Sequence, residues 1–111
     1  MIEEIKTKLQ ELGENVQVGV CRKGDTWDCL LIRKRRISKN GTSRMDYSFY
    51  VSVSIIKENE IPEGLEFRII DKMKELGFRQ SGEEISYDYE MDQNEVIVEV
   101  ANITFVKARK G

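Results

Sequence analysis

The chain has 111 residues, of which 40% are hydrophobic and 34% charged, with 18 Lys/Arg against 20 Asp/Glu, two cysteines and no histidine. That length supplies one α+β domain, residues 1–111, with one modest core, and the charge fraction exceeds the ~25% of an average domain. Without histidine there is no Ser-His-Asp triad, no Cys-His pair and no imidazole metal ligand, and two cysteines alone cannot close an ordinary zinc site.

Ile2, Ile5, Leu9 and Leu12 recur at helical spacing before Gly13, which predicts an amphipathic helix over 2–12. Val16, Val18 and Val20 alternate as a half-buried strand. Lys23-Gly24-Asp25 then reads as a turn, and Cys29-Leu30-Leu31-Ile32 as the return strand of a hairpin. Cys21 and Cys29 flank that turn. The opening Met1-Ile2-Glu3-Glu4 lacks the basic and apolar regions of a secretory signal, so the expectation is a cytoplasmic chain with free thiols. The longest apolar runs, such as Val96-Ile97-Val98, are too short to cross a bilayer, and no membrane partner is expected.

Residues 33–44 read as a strand end running into a long polar loop, because basic residues crowd around Asn40-Gly41. Phe49, Val51, Val53 and Ile55 then occupy one side of a long strand, with Tyr50, Ser52 and Ser54 on a wet side. Pro62 stands near the start of a second helix with the stripe Leu65, Ile69, Met73, Leu76, ended by Gly77. Ile85, Tyr87, Tyr89 and Met91 alternate again, Asp92 to Glu95 form a turn, and a last strand covers about 96–107. The order α-β-β-β-α-β-β with short connections predicts a largely antiparallel sheet with two helices packed on one face. A four-residue turn at 92–95 would pair Met91 with Val96 and Tyr87 with Val100. The apolar phase then changes at Ile103 and Phe105, which predicts a β-bulge near 101–102.

Catalytic signals are sparse. Isolated glycines exclude a phosphate-cradling loop. The carboxylates Asp88, Glu90, Asp92 and Glu99 could in principle serve a metal-dependent nuclease. Asp88 and Glu90 alternate with Tyr87, Tyr89 and Met91, however, so a solvated strand face explains them better. No enzyme activity, metal or cofactor is therefore expected.

Charge asymmetry is the strongest feature. Arg33, Lys34, Arg35, Arg36, Lys39 and Arg44 place six cations in twelve residues without an acid, leaving 12 basic against 20 acidic residues elsewhere. Such a segment is a solvated loop or a finger that meets phosphate or an acidic surface. Glu83, Glu84, Asp88 and Glu90 lie in the opposite feature, the stretch 83–95, which holds six acids and no Lys or Arg. Both on one chain suggest a heterologous contact between copies. Phe67, on the back of the second helix, and Ile70, on its flank, are candidates for an apolar interface.

These features are an opening helix over Ile2 to Leu12, the strand Asp28-Cys29-Leu30-Leu31-Ile32, a charged loop, and the long strand Phe49 to Ile56. They continue with the helix end Lys74-Glu75-Leu76-Gly77-Phe78 and the terminal pair Ser86 to Glu90 and Val98 to Phe105. Over nearly the full chain, this pattern resembles the small tail-completion, tail-terminator or head–tail joining proteins of long-tailed bacteriophages and prophages. The resemblance implies a structural virion protein that self-associates as a ring, commonly hexameric, capping the tail tube and joining it to the head. It also implies tail-tube and head-connector proteins as partners, and a channel in which the passing genome could meet the basic segment non-specifically. Location would be the host cytoplasm during assembly and then the virion, and the family has no catalytic residues to carry over. The alternative is a small nucleic-acid-binding or regulatory module that uses residues 33–44.

Overall fold

The computed structural model describes residues 1–39 and 46–110. Its elements are α1 (Ile2–Gln10), β1 (Val16–Val18), β2 (Asp28–Lys39), β3 (Asp46–Glu58), α2 (Leu65–Glu75), β4 (Arg79–Gln80), β5 (Ser86–Met91) and β6 (Ile97–Lys110). The sheet runs β1-β2-β3-β6-β4, with β5 also on β6, so β4 and β5 lie along one side of β6. All pairs are antiparallel except β1 with β2. The α+β class with a largely antiparallel sheet is thus the observed one.

Both helices use their apolar stripes as expected. Ile5 and Leu9 of α1 and Leu65, Ile69 and Met73 of α2 pack on Ile32, Val53, Ile103 and Phe105 of the sheet. The end of α2 is fixed by backbone geometry. Gly77 takes φ +86°, its N–H donates to Lys74 O, and the Phe78 N–H reaches back to Met73 O. This is the Schellman pattern, and it delivers Phe78 into the core against Met73.

The expected order α-β-β-β-α-β-β gains a two-residue strand, β4, after α2, and further expectations are corrected. β1 and β2 are parallel, with Val16 opposite Leu30, because residues 19–27 loop back instead of forming a hairpin turn. That path brings Cys21 beside Cys29 at a Cα–Cα distance of 6.6 Å, and the two are joined as a disulfide, not free thiols. β2 continues as strand to Lys39, so residues 33–39 are not loop; the rest of that expected loop, 40–44, lies outside the described residues. Finally, Met91 stands opposite Ile97 and Tyr87 opposite Ala101, one residue out of the expected register.

The bulge predicted at 101–102 is absent. β6 pairs with β3 over thirteen residue pairs without a shift. Its two apolar series serve two faces: Ala101, Ile103 and Phe105 meet the helices, whereas Val98 and Val100 line the opposite face. Asn102 belongs to that opposite face, where it accepts a hydrogen bond from Ser54 Oγ at 2.6 Å. The bulge falls instead on β2, where the register shifts between Lys34 and Arg36.

Candidate assembly surfaces

The helices leave one face of the sheet bare. That face carries a groove of about 420 Å3, lined by Leu31, Ile56, Val98 and Val100 among others. Ser54, only 1% exposed, lies on its floor, and Ser52 is buried beside it. The expected wet side of β3 is therefore enclosed.

A polar strut closes one end of the groove. The Trp27 indole Nε1 donates to Asp92 Oδ2 at 3.1 Å, and Lys23 Nζ approaches the same oxygen at 3.4 Å. Asp92 Oδ1 accepts the N–H groups of Asn94 and Val96 at 2.8 and 2.9 Å. The Val96 and Trp27 donors hold the Asp92 carboxyl well below its usual range, at about 2. The strut ties the loop before β2 to the β5–β6 turn. The turn is legible in the sequence but the partners of Asp92 are not; the chain's single tryptophan is the available signal.

Among the described residues, β1 and β4 are short outer strands, and two longer stretches of open edge lie on opposite sides of the sheet. β1 covers β2 only as far as Ile32; beyond it, Arg33–Lys39 pairs with β3 alone. On the other side β5 pairs with β6 alone. β5 is exposed along its whole length.

The first edge is basic. Pairing alternates its side chains between the faces, which separates charges that a loop would crowd together. Arg33 stands opposite Ser52 and Arg36 opposite Tyr50, on the groove face; Lys34 and Ile37 stand opposite Val51 and Phe49, on the helix face. The Arg36 guanidinium stacks over the Tyr50 ring at 4.1 Å. Among the described residues, Arg33, Lys34, Arg35, Arg36 and Lys39 form no ion pair. Arg44 lies outside the described residues.

The second edge is acidic on one face and apolar on the other. Asp88 and Glu90 line the groove, with Val100 and Val98 as their partners on β6. Glu83 and Glu84 stand exposed in the excursion between β4 and β5. On the helix side, Tyr87 and Tyr89 are exposed, Tyr89 by 67%; Met91, at the end of the strand, is exposed too and borders the groove. The Tyr87 hydroxyl donates to Glu66, which pushes its pKa up to about 12. Neighbouring Glu99 likewise raises Tyr89.

The carboxylates considered for metal chemistry do not converge. Glu99 faces away from the groove, where its Oε1 accepts the Ile61 N–H at 3.2 Å. Among the described residues, no three His, Cys, Asp or Glu side chains are grouped to hold a metal. Of the apolar candidates on α2, Phe67 is 66% exposed, whereas Ile70 is half-buried against the core. No helix among the described residues is long and apolar enough to cross a membrane. No family model matches the chain, and no curated protein matches it.

Proposed function

We propose that the chain is a structural subunit of the head–tail junction or tail terminus of a long-tailed bacteriophage, joining further copies into a ring on the tail tube. The observation that carries this reading is the pair of open strand edges, opposite in charge and on opposite sides of one sheet. In a ring each subunit meets its two neighbours through two different patches, and edges on opposite sides can be engaged together. In this reading the chain carries no catalytic group, its partners are its own copies with tail-tube and head-connector proteins, and its location is the host cytoplasm and then the virion.

Native mass spectrometry and negative-stain microscopy across concentration, with and without tail tubes, test the reading. The expected result is a closed oligomer, six-fold if the family resemblance extends to stoichiometry. A chain that stays monomeric in every condition would overturn it. The stacking of Arg36 on Tyr50 favours a second reading, a nucleic-acid-binding module, because cations beside aromatic rings suit a phosphate backbone with stacked bases. Salt-dependent binding of single-stranded DNA by a persistent monomer would support it.

A further inference from the structure

We infer that β5 of one copy pairs antiparallel with the open stretch Arg33–Ser38 of β2 in the next copy, continuing the sheet from subunit to subunit. This rests on the ring reading and adds to it the contact and its register.

The faces decide the register. Asp88 and Glu90 lie on the groove face of β5, as Arg33 and Arg36 do on β2. Placing Asp88 opposite Arg36 sets Tyr87 opposite Ile37. The extra residue at Arg35 then allows Tyr89 to meet Lys34 and Glu90 to meet Arg33, just as β3 absorbs that bulge within one copy. Both charge pairs fall on the groove side. On the helix side an aromatic ring meets an aliphatic side chain and a second ring meets a cation, combinations that favour cross-strand pairing. The pairing runs out at Met91, which reaches the row of Ile32, where β1 of the neighbour ends at Val18. Val18, Ile37, Tyr87, Tyr89 and Met91 are all exposed apolar side chains in the single chain. One contact would cover them together.

Geometry agrees with closure. Asp88 shares a row with Val100 and Ile56, whereas Arg36 shares one with Tyr50, six residues along β3. At ~3.3 Å per residue the two edges are staggered by roughly 20 Å, while four strands at ~4.8 Å span roughly 19 Å. Joining copies at that stagger tilts the strands by roughly 45°, close to the tilt at which sheets close on themselves. The charges also exclude the wrong unions: two β2 edges repel each other, as do two β5 edges.

The test uses two variants of the full chain, Arg33→Glu/Arg36→Glu and Asp88→Arg/Glu90→Arg, under conditions where the wild type assembles. All four side chains are exposed, and circular dichroism would verify the fold of each variant. Alone, each variant should associate at least about tenfold more weakly, because both edges then carry the same sign. Mixed in equal amounts they should assemble again, with the two chains alternating, since each then offers its neighbour an opposite charge. Native mass spectrometry reads the alternation directly. If either variant alone assembles like the wild type, rings exist but this contact does not make them. If both fail and the mixture also fails, the cations serve another contact and the inference falls. If the wild type never assembles, the ring reading falls with it.

Discussion

The two halves of β2 belong to one unbroken strand and live in different surroundings. Asp28–Ile32 has β3 on one side and, from Leu30 on, β1 on the other, with Leu30 and Ile32 against the helices and Cys29 and Leu31 buried on the opposite face. Arg33–Lys39 keeps β3 and loses everything else, so all but Ser38 are exposed. The strand persists because its inner neighbour supplies hydrogen bonds along the whole length. Burial depends instead on what lies beyond the outer edge and over each face. The half with no outer neighbour is thus structurally complete along one side only, which is why the proposed contact between copies is placed there.

Matched truncations should separate the two halves most clearly. Ile32→Ala removes a fully buried side chain from the helix-facing core and should cost about 3–4 kcal/mol. Ile37→Ala, five residues along the same strand and 60% exposed, should change monomer stability by less than about 0.5 kcal/mol. Urea unfolding of both variants reads the difference. A large cost for Ile37→Ala would mean that the distal half is already covered in the single chain. If the pairing inferred above holds, that same variant should weaken association while leaving the monomer intact.

A smaller effect is expected where the first half is stapled. The Cys21–Cys29 disulfide closes a loop across a sequence separation of 8, and the chain-entropy argument assigns such a loop about 2.5 kcal/mol. Changing both cysteines to serine, or reducing the wild type, should therefore lower stability by about that amount. Hydrogen exchange should rise first in residues 19–27, because those residues are held by the staple and by the Trp27 and Lys23 bonds to Asp92. No change on reduction would mean that the loop closes without the bond.

Much of the fold was legible where local pattern and burial agree. The stripes Ile5 and Leu9, and Leu65, Ile69 and Met73, are one-sided and end near Gly13 and Gly77, so each helix could be read with its buried face. The misread parts depend on contacts distant in sequence or on a single backbone angle. β1 reads as one arm of a hairpin unless the return path of 19–27 is known. The β5–β6 register slipped because the turn is one residue longer than its composition suggests. Glu95 takes a left-handed φ of 62°, and the Asp92 N–H donates to Val96 O at 3.0 Å, which draws Val96 into the turn. Ser52 and Ser54 looked solvated because serine usually is; both are buried, Ser54 on the floor of a groove that no local pattern announces. For the candidate surfaces, the charges themselves were legible as a basic and an acidic segment. Nothing local marked them as two open strand edges.

The smallest effect, and the most specific, concerns the strut at the end of the groove. Asp92 has a folded pKa of about 2, held down by the Val96 N–H, the Trp27 indole, the Asn94 N–H and Lys23. A carboxylate in an unfolded chain titrates near ~3.9. The folded state therefore binds the proton less readily than the unfolded one. The stability this contributes is fully present above about pH 4 and is lost as pH falls toward about 2. Asp92→Asn keeps a side-chain carbonyl for the Val96 and Asn94 N–H groups but cannot offer a second acceptor to Trp27 and Lys23. It should therefore be less stable than the wild type at pH 5–7, with the gap shrinking through pH 4 to 3 and closing near pH 2. Other carboxylates titrate in both proteins and cancel in the comparison. Urea unfolding of the pair across this range measures the gap, and Trp27 fluorescence follows the strut itself. A gap that stays constant with pH would mean that the shape of Asp92, not its charge, holds the loop before β2 to the β5–β6 turn. Because that turn fixes where β5 begins its return along β6, the same pair of proteins would also report whether the acidic edge depends on the stapled half of the molecule.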